Sequence, residues 1–226
     1  MRVYGRNVFN EFRNTPNKLK KVFISKNMDE DIFKFLKENK IQFEIMDNFR
    51  LNKLCNNAVH QGIVMEVNDY EYAILNDIME YDKLLILDHL QDPHNFGAII
   101  RTSEALGIKG IIIPRNRSVM VNDTVMKVSA GSLTHVKICM ENNLINVINK
   151  LKEANYFIYG TDMNGKDYFT MDYAKKICLV IGSEGEGMSH LIKENCDEIV
   201  SIPMVGQVNS LNASVAAAII ISKIVR

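Results

Sequence analysis

A chain of 226 residues, 47% hydrophobic and 24% charged, carries enough apolar material for one large or two small domains with a real core. Lys plus Arg number 27 against 27 Asp plus Glu, so bulk charge does not announce a nucleic-acid partner. The apolar run 216–221, flanked by Ser214 and Ser222, falls far short of the roughly 18 residues that a membrane span needs. Arg2, Arg6, Glu11 and Arg13 interrupt the apolar stretch that a signal peptide requires, so a cytoplasmic location is expected.

Cys55, Cys139, Cys178 and Cys196 are scattered, with no C-x-x-C pair and no His at finger spacing. Neither a zinc site nor a disulfide framework is indicated, and reduced thiols and no metal are expected. Charge is uneven only locally: residues 1–26 hold Arg2, Arg6, Arg13, Lys18, Lys20, Lys21 and Lys26 against Glu11 alone. Such a patch suits nonspecific phosphate contact, and equally a solvated Lys-rich face.

In chain order, the spacing predicts a short strand at 22–24, a helix capped by Asp29 and running through Lys40, and an alternating strand at 41–45. This small α/β unit closes with His60, Gln61, Gly62 and a strand at 63–67. A polar shift at 68–72 puts the domain boundary at about 68–80, giving a first domain 1–70, a linker 71–80 and a second domain 81–226. Beyond it come a buried strand at 84–87, a turn through Asp92, Pro93, His94 and Asn95, and a helix from about 96 to 106 ended by Gly107. Strands at 110–113, 136–139 and 156–159 follow, with a short helix near 124–129. Leu144, Val147, Ile148 and Leu151 lie on one helical face. Apolar runs at 177–181 and 199–202 stop at Gly-, Ser- or Pro-rich turns, and a long apolar helix is entered through Ser210, Leu211 and Asn212. Strand and helix alternate throughout, which argues an α/β fold with a parallel sheet covered by helices on both faces.

In such sheets ligands bind at the carboxyl ends of strands. Three polar clusters fall there: 95–104, 182–187 and 210–214. The glycines of GSEGEG (182–187) have the wrong spacing for G-x-G-x-x-G, and no GK[ST] follows, which disfavours a nicotinamide enzyme or an NTPase. Taken singly, each candidate has a plain structural reading. Arg101 and Glu104 are spaced for an intrahelical ion pair. Glu184 suits a solvated loop carboxylate, Ser210 and Asn212 suit helix caps, and His60 and His94 lack a second ligand at metal spacing.

Read together and in order, LDHLQDPHNFGAIIRTSEALGIKGIIIP (87–114), LVIGSEGEGM (179–188), SIPM (201–204) and SLNASVA (210–216) closely resemble the motifs of the SpoU/TrmH family of RNA ribose 2′-O-methyltransferases. VYGRNVFNEF (3–12) and VHQGIVMEV (59–67) resemble the small substrate-binding domain of its RlmB-like branch, whose members methylate a guanosine ribose in large-subunit ribosomal RNA. The resemblance implies a SPOUT domain with a deep trefoil knot near the C-terminus, and an N-terminal α/β substrate-binding domain resembling a ribosomal protein. It further implies a homodimer in which the apolar C-terminal helix is buried, S-adenosyl-L-methionine as cofactor, and large-subunit ribosomal RNA as partner. Asn95, Arg101, Glu184, Ser210 and Asn212 match the reaction-centre positions. Gly182, Ile202 and Leu211, with Gly160 and Thr161 as neighbours, match the cofactor-binding positions. Ser183 stands where many members carry Asn, and Ala213 where Val is common. Two readings compete: a transfer-RNA ribose methyltransferase, and a non-catalytic RNA-binding member of the same fold. The intact reaction-centre positions argue against the second.

Overall fold

The structure is a computed structural model that describes residues 1–208 and 210–226. Its strands form two sheets. Four strands, β1 (Arg2–Tyr4), β2 (Leu19–Ser25), β3 (Gln42–Met46) and β4 (Ile63–Val67), lie in the order β1-β4-β2-β3. Here β2 and β3 are parallel, while β4 runs antiparallel to both its neighbours. Six parallel strands make the other sheet: β5 (Lys83–Asp88), β6 (Gly110–Pro114), β7 (Lys137–Glu141), β8 (Phe157–Asp167), β9 (Ile177–Gly182) and β10 (Glu198–Ser201), in the order β10-β8-β9-β5-β6-β7.

Two compact units result. The first comprises Met1–Glu71 together with Val121–Thr134, and the second Tyr72–Met120 together with His135–Arg226. Residues 121–134 thus pack with the four-stranded unit although they lie far along the chain. Helix α6 (Asp123–Val128) is capped by Asn122, whose Oδ1 accepts from Val125 N at 3.0 Å, and Lys127 Nζ sits 4.9 Å from the Tyr4 ring centre.

Within the first unit the period-2 alternation of β2 sends Phe23 to one face, where Leu51 and Cys55 from α3 (Asn48–Leu54) and its C-cap meet it. Helices α1 (Arg6–Phe12) and α2 (Glu30–Glu38) bury Phe9, Phe12, Ile32 and Leu36. Asp29 does stand at the N-cap of α2, but its side chain makes no cap bond. Its two oxygens accept from the Arg6 guanidinium at 2.6 and 3.3 Å, and a two-pronged charged partner outcompetes a backbone amide. The helix stops before Lys40, whose φ of +53° is left-handed. Helices α1 and α3, at seven residues each, went unseen in the sequence because so short a segment shows too little periodicity.

The basic N-terminal stretch is largely neutralised in place. Arg2 pairs with Glu66, Arg6 with Asp29, Arg13 with Asp31 and Lys21 with Glu44, all partners outside 1–26. The solvated-face reading therefore describes four of the seven cations better than a phosphate patch does.

In the second unit the alternation within β5, β6 and β9 divides the core. Leu84, Ile86, Ile112, Cys178 and Val180 face α7 (Leu144–Glu153), α4 (Leu75–Ile78) and the short α8 (His190–Glu194) in one cluster. Leu85, Leu87, Ile111, Ile113, Leu179 and Ile181 project to the opposite face and are equally buried. There α5 (Pro93–Ala105) packs against α9 (Ala213–Ile224), which also reaches β9. Two-sided cover is what near-continuous apolar strands require. No helix among the described residues is long and apolar enough to cross a membrane.

Candidate functional site

Strand β5 ends at Asp88 and is paired residue for residue with β9, so Asp88 lies opposite Gly182. The segments that follow these two strands are thereby brought side by side. After β5 the chain enters α5, and Pro93 occupies its first turn, where a missing N–H costs nothing and the fixed φ favours the helix. Asp92 caps it, its Oδ1 accepting from His94 N at 3.0 Å. The helix starts about one turn earlier than the spacing predicts, which puts Asn95 inside its first turn, 5% exposed.

After β9 the chain makes a tight closed turn over 183–187. Ser183 N donates to Gly187 O at 3.0 Å and Gly187 N donates back to Ser183 O at 3.0 Å. Gly185 and Gly187 take φ of +87° and +69°, a region closed to most side chains. Gly182 is required for a different reason: a Cβ there would lie 2.1 Å from the Gly187 carbonyl carbon and 2.2 Å from Met188 N. Ser183 also uses its hydroxyl, Oγ donating to Gly187 O at 3.3 Å, so the residue that departs from the family pattern still supports the turn.

The third segment enters α9 through Asn212. Its Oδ1 accepts from Ser214 N at 3.0 Å, Ser214 Oγ at 2.6 Å and Val215 N at 3.3 Å, an N-cap as its residue type suggests. The amide of the same side chain does something further. Asn212 Nδ2 donates to Asn95 Oδ1 at 2.9 Å and to Glu184 Oε1 at 2.8 Å, and Asn95 Nδ2 donates to Glu184 Oε1 at 2.5 Å. One carboxylate oxygen thus gathers two amides from segments 117 residues apart in sequence. Glu184 is neither a freely solvated loop residue nor an isolated charge, and Asn212 is a cap and a bridge at once.

Not every candidate joins this cluster. Arg101 is exposed on α5 and, among the described residues, makes no hydrogen bond or ion pair, so the Glu104 pair is not seen and Arg101 does not touch Glu184 or Asn95 through a hydrogen bond. Six residues at about 100° each put it about 120° around the helix from Asn95, and about 9 Å along it. Ser210 is exposed, with no side-chain hydrogen bond among the described residues. Asn209, within the loop that the sequence reading joined to the cofactor positions, lies outside the described residues.

The remaining candidates line the neighbouring strand ends. Gly160 is buried in β8, where a Cβ would meet Cys196 Sγ and Met188 Cε at 2.7 Å, so its missing side chain serves packing. Thr161 follows it, with Oγ1 donating to Val180 O at 3.1 Å. Ile202 and Leu211 are half-buried at the two ends of the loop between β10 and α9. Between them Met204, Val205 and Val208 present exposed apolar side chains, and the backbone amides of 204–208 make no hydrogen bond among the described residues. Apolar walls and backbone amides without partners are what an adenine-like ring would use. His60 is structural: Gly62 N donates to its Nδ1 at 2.9 Å, its Nε2 lies 2.9 Å from Asn52 Oδ1, and burial holds its pKa below the usual histidine range.

Two signals in the sequence went unused. Asp88 and His89 form a 2.6 Å contact at the end of β5, and α8, whose preceding Ser189 N donates to Asp88 Oδ2 at 2.7 Å, was not expected. An acidic residue closing an apolar strand was the available clue.

The sequence profile of the SpoU rRNA Methylase family matches residues 82–222, and that of the RNA 2′-O ribose methyltransferase substrate-binding domain matches residues 2–73. A protein described as a putative TrmH family tRNA/rRNA methyltransferase of Staphylococcus saprophyticus is 42% identical over 90% of this chain and 84% of its own. Its counterpart in Staphylococcus aureus is 38% identical over 99% of this chain and 95% of its own. The SpoU methyltransferase AviRb of Streptomyces viridochromogenes, solved in complex with AdoMet, superposes with a TM-score of 0.87 at 24% identity, covering 100% of this chain and 89% of that one. An A. aeolicus TrmH/SpoU tRNA modifying enzyme superposes with a TM-score of 0.59 at 28% identity, over 67% of this chain and 80% of its own. Profile, relatives and fold agree along the whole length, and the chain belongs to the SpoU/TrmH family of RNA ribose 2′-O-methyltransferases.

Proposed function

We propose that this protein uses S-adenosyl-L-methionine to methylate the 2′-oxygen of a ribose, a guanosine ribose, in large-subunit ribosomal RNA. It works as a cytoplasmic homodimer whose C-terminal region forms the trefoil knot. The observation that carries this reading is the hydrogen-bonded cluster of Asn95, Glu184 and Asn212 at the carboxyl ends of β5 and β9. It joins the three segments whose residues match the family's reaction centre.

When bound, S-adenosylmethionine supplies a methyl group on a sulfonium. Ile202, Leu211 and the exposed apolar residues between them offer the walls for its purine, and Gly182, Gly160 and Thr161 bound the same strand ends. Arg101, with its guanidinium in solvent, is placed to hold an RNA phosphate and to stabilise negative charge growing on the 2′-oxygen as its proton leaves. It acts as a fixed cation, since guanidinium does not give up its proton in proteins. Glu184, Asn95 and Asn212 hold the two reacting loops at a set separation, and Ser210 stands one residue before Leu211 on the loop that faces them. The four-stranded unit, which contains nearly all of the substrate-binding profile at residues 2–73, reads the RNA, and the six-stranded unit carries out the transfer. The outer side of α9, where Val215 is exposed and Ala216, Ala218 and Ile219 are half-buried, supports a second copy packing there.

The names of the relatives join transfer RNA to ribosomal RNA, so the test compares both. Purified protein with labelled S-adenosylmethionine is expected to methylate 23S ribosomal RNA, and Arg101→Ala is expected to abolish turnover while cofactor affinity survives. Methylation of transfer RNA alone would establish the alternative substrate. Near-normal turnover by Arg101→Ala would remove that residue from the reaction centre.

A further inference from the structure

Asp88 ends β5 with a carboxylate only 1% exposed and fully committed. Its Oδ2 accepts from Ser189 N at 2.7 Å, and its Oδ1 lies 2.6 Å from His89 Nδ1. A carboxylate accepts only, so Nδ1 carries the shared proton and the ring is oriented with Nε2 on its far side. Nε2 has no partner among the described residues, and the side chain is 32% exposed. His89 also takes φ +58°, a left-handed conformation that disfavours a residue with a Cβ. The strained residue is pinned from its other side: Leu90 O accepts from Val119 N at 2.7 Å and from Ser118 Oγ at 3.2 Å. A position that glycine would fill at lower cost is thus occupied by an oriented imidazole.

Strand order decides which ligand that imidazole faces. The cofactor-binding positions lie in β8, at the end of β9 and after β10, whereas β5 lies on the far side of β9 from β8 and β10. His89 leaves the sheet from β5, beside the 183–187 turn that carries Glu184, and on the same connection as Asn95 and α5.

We propose that His89, held by Asp88, is an RNA-contacting residue of this site, its Nε2 making a hydrogen bond to the substrate RNA. The assignment rests on the methyltransferase reading above. Its consequence is specificity for substrate and not for cofactor: the imidazole is oriented before RNA arrives, so the contact forms without ordering a side chain.

His89→Gly is a clean test, because glycine suits φ +58° and leaves Asp88 bound to Ser189. With 23S ribosomal RNA as probe, the variant is expected to raise KM for RNA roughly tenfold, the loss of one well-oriented hydrogen bond. S-adenosylmethionine affinity should match the wild type, and the thermal midpoint should fall, because Asp88 Oδ1 loses its donor. His89→Asn, which tolerates the left-handed conformation and carries an acceptor, should recover part of the loss. Wild-type KM and kcat in His89→Gly would overturn the assignment, as would a parallel loss of cofactor affinity. A wild-type protein that methylates no RNA refutes the functional reading and this contact with it, whereas an active wild type with an equally active His89→Gly refutes the contact alone.

Discussion

Replacing Asn212 by Ala separates the two duties of one side chain. As the cap of α9 its Oδ1 serves Ser214 and Val215 N–H groups, and losing a cap costs about 1 kcal/mol. As a bridge its Nδ2 donates to the Glu184 carboxylate and to Asn95 Oδ1. A hydrogen bond to a charged group is worth about 1.5–3 kcal/mol, less here because Glu184 is exposed. Asn95 is buried, and leaving its Oδ1 without a donor costs about 1–3 kcal/mol. These effects overlap in one side chain, so the expected loss is about 2–4 kcal/mol rather than their total. Asn212→Ser keeps the cap and removes the bridge. It should recover about 1 kcal/mol of stability yet remain defective in methylation. Urea unfolding gives the stabilities, and a double-mutant cycle with Asn95→Ala gives the coupling, expected between about 0.5 and 3 kcal/mol. Additive effects of the two Ala variants, or an Asn212→Ser protein with wild-type stability and turnover, would refute the bridging role.

Two further outcomes follow from other parts of the molecule. Gly182→Ala forces a Cβ into the 183–187 turn at 2.1 Å from backbone, so the turn must open. The expected result is about 1–3 kcal/mol of lost stability together with weakened S-adenosylmethionine binding, read by denaturation and calorimetry. Wild-type values in both would mean that the turn yields at no cost. Burial pushes Cys139, Cys196, Tyr156 and Tyr173 each up to about 12. The ionised forms are therefore disfavoured in the folded chain, while the unfolded chain ionises them from about 8.5 for Cys and about 10 for Tyr. These four groups leave stability unchanged from about pH 7 to about pH 8 and lower it as pH rises toward 12, because the unfolded state sheds protons more readily. Unfolding midpoints measured from about pH 7 to about pH 11 should show that decline, and a flat profile would contradict it.

Local pattern was strong enough to reveal the second sheet in outline. The apolar runs ending at Asp88, Gly182 and Ser201 each became a buried parallel strand, since a strand covered on both faces must be apolar at consecutive positions. The unseen elements were the short ones. Helices α1, α3 and α8, of seven, seven and five residues, hold their places through tertiary contacts, as Leu51 does beneath β2 and Ile192 beside α7. Residues 121–134 read as part of the second half, and the company they keep depends on packing to which spacing is blind.

The order of residues along the chain carries the α/β class and family membership. It also determined which residues stand at strand ends, because hydrophobic period and motif order are properties of the chain. The partners were set by folding. Four N-terminal cations met carboxylates far away in sequence, Asn95, Glu184 and Asn212 closed on one another, Arg101 stayed outside that cluster, and Asp88 fixed the orientation of His89. Hydrogen bonds and ion pairs act over about 3 Å, and which polar groups come that close is set by strand register and helix phase rather than by position along the chain.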